Sequence, residues 1–303
     1  MNEIVASVRR AGEGMRLWLM AIRPRTLTIA LAPVILGTTL AWVEAGRVDV
    51  WLFAVIMAAA VLIQAGTNLH NDAADAHADA GARLGPPRVS GQGLLAARDV
   101  RRAAWAAFSL AAVLGLWLVW KGGMPILLTG VLSIIAGAAY SSGPKPISHS
   151  PLGEVFVVIF FGLAAVGGTY YLQTGELTAR ALVAGLIAGF PAAAVLLVNN
   201  TRDALQDMAA GRATLAIRIG KRRAALVYAA LVLLPYVLLA LPWPGFHSLS
   251  GRMLWPAFLT LPYAVWLIGQ FRNRPVEMFN PLLVNTAKLQ FAIAALICLS
   301  LVQ

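Results

Sequence analysis

Long apolar stretches separated by short polar punctuation set the pattern of this chain. The runs 51–65, 103–120 and 224–241 carry no charged residue. A membrane-crossing helix needs about 20 apolar residues, so runs of this kind read as spans rather than as pieces of a soluble core. Nine spans are expected, at 26–43, 50–69, 101–119, 124–141, 153–172, 179–199, 222–241, 253–270 and 282–302. Glycine and proline inside them are compatible with this, because neighbouring membrane helices satisfy the backbone groups they release. Residues 1–20 read as a basic, partly amphipathic segment lying at the membrane surface with Trp18 as interfacial anchor, and 21–303 as one transmembrane domain. The first apolar run has a proline, Pro33, in its middle and no convincing signal-peptidase site, so a mature first span is expected. The fold class is all-α and polytopic.

Composition agrees. Of the 303 residues, 59% are hydrophobic and only 12% charged, against about 25% charged in soluble proteins. The net charge of +11 could suggest nucleic acid, but the cations sit in short loops between spans. Their distribution speaks to topology instead. With the N-terminus inside, twenty Lys and Arg fall in inner segments and four (Arg47, Lys121, Arg180 and Arg252) in outer ones. The positive-inside rule then puts the N-terminus in the cytoplasm and the C-terminus outside. The single cysteine, Cys298, excludes an intrachain disulfide.

Two acidic stretches carry the candidate chemistry. Asp72, Asp75 and Asp79 follow one apolar run at i, i+3 and i+7, and Asp203 and Asp207 follow another at i, i+4. On helices these spacings put the carboxylates of each stretch on one face. An Asn stands four residues before the first Asp in both, Asn68 before Asp72 and Asn199 before Asp203. Like charges on one face repel, so two such faces at the cytoplasmic ends of spans suggest a shared cation site. Carboxylate oxygens suit Mg²⁺, which is usually shared between one or two protein carboxylates and substrate phosphates. Arg83, Arg88, Arg202 and Arg212 nearby would then meet a phosphate-bearing ligand. The bland alternative is a set of solvated loop residues, which two matching motifs on one side disfavour. A cation-coupled transporter would place its carboxylates nearer the midplane. Zinc held by His70 and His77 would lack cysteine and sit among hard ligands.

The ordered segments Arg23-Pro-Arg-Thr26, Leu84-Gly-Pro-Pro-Arg-Val89, Ser142-Gly-Pro-Lys-Pro146, Phe160-Phe-Gly, Gly168-Thr-Tyr-Tyr-Leu-Gln173, Asn199-Asn-Thr-Arg-Asp203, Asp207 and Gly211–Gly220 resemble the UbiA superfamily of intramembrane prenyltransferases. They are most similar to its members that prenylate 1,4-dihydroxy-2-naphthoate in menaquinone biosynthesis. The resemblance runs from about residue 17 to the C-terminus. It implies a bundle of nine helices around a central cavity in the bacterial cytoplasmic (inner) membrane. It further implies Mg²⁺ held by Asp72, Asp75, Asp79, Asp203 and Asp207, a polyprenyl diphosphate donor and an aromatic acceptor, 4-hydroxybenzoate being the runner-up. The chain departs from the pattern in three places. Ala73 and Ala74 stand where an aromatic residue is common, the segment from Asp75 to Gly85 is about two residues short and without the basic residue often found there, and Arg212 stands where a Lys is common.

Further candidates follow from position. Lys145, in a Gly/Pro-bounded inner loop beside Tyr140, is expected to contact the diphosphate. Arg23 and Arg25 open the first span and either bind a substrate anion or anchor at the interface. Lys288, a turn or two inside the last span, is costly there unless paired, and is a candidate for contacting a substrate anion in the catalytic set. Asn68, Asn71, Asn199 and Asn200 complete the expected binding residues. Gln64 is expected to make a helix-to-helix hydrogen bond, and Trp117, Trp120, Trp243 and Trp255 to form interfacial belts.

Overall fold

Helix ends in this chain coincide with capping residues. Asp49 Oδ1 accepts from Leu52 N at 2.9 Å and Thr178 Oγ1 from Ala181 N at 3.3 Å, opening two helices, and Gly46 and Gly175 close two others in the left-handed conformation. The computed structural model describes residues 14–76, 84–241 and 255–302, apart from the side chain of Arg25. The helices are α1 (14–22), α2 (Pro24–Ala45), α3 (Val50–Ala74), α4 (Ala97–Ala139), α5 (Gly153–Val157) and α6 (Ala165–Thr174), then α7 (Ala179–Arg202), α8 (Ala204–Ala209), α9 (Leu215–Ala240), α10 (Leu261–Asn273) and α11 (Phe279–Val302). No strand occurs among the described residues. A π-helical turn, Val158–Ala164, joins α5 to α6 in one span.

Seven helices among the described residues are long and apolar enough to cross a membrane, against the nine spans expected. Two features account for the difference. The third and fourth expected spans fall on the single 43-residue α4, which is interrupted at Gly123 (φ 67°, ψ −152°). The interruption folds it back on itself. Phe108, on the first arm, lies 3.2 Å from where a Cβ on Gly137 of the second arm would be. In a straight helix those two residues would be about 44 Å apart. The eighth expected span falls on a 3-10 segment, Trp255–Thr260, and the 13-residue α10, neither of that length alone.

Packing is tightest around α7, the most enclosed span. Its Gly185-x-x-x-Gly189 face meets Gly162 in the π turn. A Cβ on Gly162 would lie 2.5 Å from Gly185 O and 2.9 Å from Gly189 Cα, so the backbones touch directly. Pro33 in α2 removes the donor that Ile29 O would use. Gln290 of α11, 1% exposed, supplies it instead, its Nε2 donating to Ile29 O at 3.3 Å. The outer surface is apolar: Leu110, Val113 and Leu116 of α4 are 51–66% exposed, as lipid-facing residues are.

Trp51, Trp120 and Trp255 are exposed, and Lys121 Nζ sits 5.1 Å from the ring of Trp120 and 5.6 Å from that of the half-buried Trp117. Trp243 lies outside the described residues. Trp18 does not stand free as an anchor: it packs, half-buried, against a cluster containing Leu69, Val89 and Val100. Gln64 also departs from expectation, donating to Asn68 Oδ1 one turn along the same helix at 3.3 Å.

Candidate active site

The two acidic stretches meet. Arg212 Nη2 lies 2.9 Å from Asp75 Oδ1 and its Nη1 3.0 Å from Asp207 Oδ1, so one guanidinium spans both motifs. Arg88 adds a second pair to Asp75 at 2.9 Å and also donates to Asn71 O at 2.6 Å. These groups are buried, with Arg88 5%, Asp75 6% and Asp207 8% exposed.

The local fold explains the meeting and corrects the expected register. Helix α3 ends at Ala74, and Asp75 is its C-cap (φ −92°, ψ 11°), its N–H donating to Asn71 O. Helix α7 ends one residue before Asp203, which is likewise the C-cap (φ −90°, ψ 3°), its N–H donating to Asn199 O. The equivalent pairs are therefore Asn71–Asp75 and Asn199–Asp203, one residue type and one turn apart, rather than Asn68–Asp72 and Asn199–Asp203. On this register Asp79 corresponds to Asp207. Asp79, His77 and Arg83 lie outside the described residues. A helix C-terminus carries about half a negative charge, so a carboxylate at each end builds strong negative potential that only nearby cations can offset.

Asp72 is held differently from Asp75, which pairs with arginines. Its Oδ1 accepts from Ser90 N at 2.9 Å and its Oδ2 from Val89 N at 3.2 Å; like Asp75, it lies just behind the cavity lining rather than in it. Asp72 thereby pins the 88–90 turn onto α3. The expected metal role for Asp72 gives way to this anchoring one.

Arg202 is a second hub. It chelates Asp203 through Nε and Nη2, both at 2.8 Å, and donates to Asn199 Oδ1 and Asn280 Oδ1, each at 2.8 Å. Asn280 in turn donates to Leu84 O at 2.8 Å. Arg202 is 3% exposed and packs so closely on Gly85 that a Cβ there would lie 2.5 Å from Nη2. It thus ties the 84–85 segment, α7 and α11 into one unit.

These groups form the polar end of a cavity of about 1170 Å³. Arg23, Asn68, Asn71, Arg88, Tyr140, Asn199, Asn200, Arg202, Asp203, Asp207 and Arg212 all line it. Farther in, its wall is apolar, built from α2, α3, both arms of α4 and the aromatic residues Phe156, Phe160 and Phe161. Arg23 sits between α1 and α2 with φ 57°, the only non-glycine residue at positive φ among those described. Left-handed backbone costs a side-chain-bearing residue about 1 kcal/mol or more. It is held by Arg23 N donating to Leu19 O and Thr26 donating to Arg23 O. Asn68 braces the same corner, donating to Ile22 O at 2.8 Å.

Two expected residues are not brought in. Lys145 is exposed in its loop and Lys288 is exposed on α11, and neither lines the cavity. Residues 286, 287, 289 and 290 are buried, so helical phase turns position 288 outward; its expected contact with a substrate anion is not supported. Unforeseen lining residues are Arg16, Ser148, Asn280 and Asn285. Only Asn280 and Asn285 carried a signal, as polar residues at the start of an apolar run. In the inner loop, burial and then the neighbouring Arg212 cation hold His149 below the usual imidazole range, Asp75 opposing them, so it is neutral at pH 7.

The donor set fits a divalent cation. Asp75 and Asp207 already converge on one cationic group, and hard carboxylate oxygens suit Mg²⁺ completed by phosphate oxygens. No group of three or more His, Cys, Asp or Glu converges for a metal among the described residues.

Comparison with known proteins agrees with this arrangement. The UbiA prenyltransferase family model matches residues 30–277. The 1,4-dihydroxy-2-naphthoate octaprenyltransferase of Escherichia coli is 35% identical over 283 residues, covering 89% of this chain and 90% of that one. The Mycobacterium tuberculosis protein of the same name is 36% identical, covering 75% and 79%. A UbiA homolog from Archaeoglobus fulgidus, solved with GPP and Mg²⁺, superposes with a TM-score of 0.66 at 16% identity over 93% of this chain and 99% of that one. With a family match over most of its length and relatives of this identity, the chain belongs to the UbiA prenyltransferase family.

Proposed function

We propose that the chain transfers a polyprenyl group from polyprenyl diphosphate to 1,4-dihydroxy-2-naphthoate with loss of the carboxyl group, giving demethylmenaquinol in a bacterial cytoplasmic membrane. The observation that carries this is the convergence of Asp75 and Asp207 on Arg212 at the polar mouth of a deep apolar cavity. The relatives from E. coli and M. tuberculosis, named for this acceptor, support the choice of substrate.

Asp75, Asp203 and Asp207 would hold Mg²⁺, with Asp79 as the fourth candidate. Bound there, the metal supplies Lewis-acid neutralisation of a departing diphosphate. Arg88, Arg212 and Arg23 bind and orient the diphosphate oxygens by charge-assisted hydrogen bonds. The carbon–oxygen bond of the donor breaks and its electron pair leaves with the diphosphate. The allylic cation left behind needs a dry pocket, which the apolar walls supply, and the faces of Phe156, Phe160 and Phe161 stabilise it. A ring carbon made electron-rich by two hydroxyls captures that cation, and the pair from the carboxylate bond returns to the ring as CO₂ departs.

The test is a purified-protein assay with Mg²⁺ and farnesyl diphosphate, offering carboxyl-labelled 1,4-dihydroxy-2-naphthoate and 4-hydroxybenzoate in parallel. Labelled CO₂ and a prenylated naphthoquinol are expected from the first and little product from the second. Preferred turnover of 4-hydroxybenzoate, or a product that keeps its carboxyl group, would reject the acceptor.

A further inference from the structure

Beside the cavity lies a buried pair that the mechanism above does not use. Glu154, in the first turn of α5, is 5% exposed, and Asn200, near the end of α7, is 7% exposed. Asn200 lines the cavity and Glu154 lies behind it. Asn200 Nδ2 donates to Glu154 Oε1 at 3.0 Å, while Glu154 Oε2 is buried with no hydrogen-bond partner among the described residues. A carboxylate buried at the start of a membrane span is expensive and is retained for a purpose.

The chemistry of the pair restricts what Asn200 can do. A carboxylate only accepts, so it selects the NH₂ end of the amide facing it. The end left over is Oδ1, an acceptor. An acceptor repels the oxygens of a diphosphate and takes an O–H instead. Among the substrates of the proposed reaction, the ring hydroxyls of the aromatic acceptor are the natural O–H donors. We propose that Glu154 is a positioning residue, orienting Asn200 so that its Oδ1 receives a ring hydroxyl of the aromatic acceptor. This rests on the reading of the chain as an aromatic prenyltransferase, and it moves Asn200 from the diphosphate to the acceptor side of the site.

The experiment compares a dihydroxynaphthoate with its mono-O-methyl ether, which stays electron-rich but lacks one donor, in the full-length protein with Mg²⁺ and farnesyl diphosphate. Wild type should lose about tenfold in kcat/KM on methylation of the bonded hydroxyl, the scale of one unsatisfied hydrogen bond. Asn200→Ala and Glu154→Ala should lose about as much with the free hydroxyl, little more with the ether, and keep the KM for farnesyl diphosphate within about twofold. Glu154→Gln still offers an oxygen to the Asn200 amide and should restore most of the acceptor KM, which loss of a merely structural contact would not predict for the alanine and glutamine variants together. Where Glu154→Ala does not fold, Asn200→Ala and Glu154→Gln carry the test. A rise in diphosphate KM in Asn200→Ala, an undiminished ether penalty in that variant, or Glu154→Gln as impaired as Glu154→Ala would overturn the proposal. Wild type inactive on every aromatic acceptor would reject the reaction itself instead.

Discussion

At the scale of single residues, the acidic motifs divide into carboxylates that face a cation and one that does not. Asp75 and Asp207 share Arg212, whereas Asp72 accepts two backbone N–H groups of the 88–90 turn. Asp72→Asn can keep only one of those bonds as an acceptor, so a stability loss of about 1–3 kcal/mol is expected, with Mg²⁺-dependent turnover per folded molecule retained. Asp75→Asn and Asp207→Asn should instead remove most turnover per folded molecule, beyond whatever stability they lose with their arginine partners. Tryptophan fluorescence unfolding in detergent beside turnover measures both, and equal kinetic loss in all three variants would refute the division. Arg212 makes a companion case. Removing it leaves two buried carboxylates without their shared cation, an error that costs about 3–5 kcal/mol. Mg²⁺ can fill that gap, so the unfolding temperature of Arg212→Ala should rise with Mg²⁺ and fall with EDTA more than that of wild type. An Arg212→Ala protein indifferent to both would show that the carboxylates do not form one cation site. The presence of both motifs was legible in the sequence, but the register was not. A spacing of four fits both Asn68–Asp72 and Asn71–Asp75, and what decides between them is that Asp75, like Asp203, is the C-cap of its helix with its N–H on the Asn carbonyl.

At the scale of elements, spans were legible because charge-free length is a strong signal, while the caps Asp49, Thr178, Gly46 and Gly175 fix their ends in the structure. The fold-back of α4 was foreseen as two spans, since Gly122, Gly123 and Pro125 interrupt the apolar run. The π turn and the mate of Gly162 were not legible, because contact between backbones leaves no periodic trace. That contact is testable. A Cβ on Gly185 would lie 3.1 Å from the backbone of both Gly162 and Leu163. Backbone cannot move as a flexible side chain can, so Gly185→Val should cost about 1–3 kcal/mol through overpacking. It should also displace Phe160 and Phe161, which line the cavity from the same turn. A lowered unfolding temperature with a raised KM for farnesyl diphosphate is the expected pair of readings. An unchanged unfolding temperature would mean the two helices do not meet as closely as described. Lys288 shows the opposite limit: its sequence position was informative about depth in the span and silent about helical phase, which depends on which face of α11 packs against α2 and α7.

At the scale of the whole molecule, charge and site point the same way. Eleven of the twenty cations expected on the inner side lie within 83–102 and 202–223, beside the two acidic motifs, and Arg88, Arg202 and Arg212 among them take part in the site itself. On the expected topology one distribution does two jobs, orienting the chain in the membrane and neutralising carboxylates at two helix C-termini. This ties topology to function: the diphosphate head of the proposed donor must sit at the side on which those segments lie, while the apolar wall receives its isoprenoid chain from lipid. We expect that side to be the cytoplasm. Single cysteines at Met208, which is exposed beside Asp207, and at Arg47, in the loop between α2 and α3, are placed in a Cys298→Ala background for the measurement. In sealed vesicles of known orientation, an impermeant thiol reagent should reach position 208 only from the cytoplasmic face and position 47 only from the other. Prior saturation with Mg²⁺ and a non-hydrolysable prenyl diphosphate should slow labelling at 208 and leave 47 unchanged, because only the first adjoins the proposed anion site. Labelling of both positions from one face would undo the orientation, and labelling of 208 from the outer face would separate the basic loops from the cytoplasm and with them the seat of the diphosphate head.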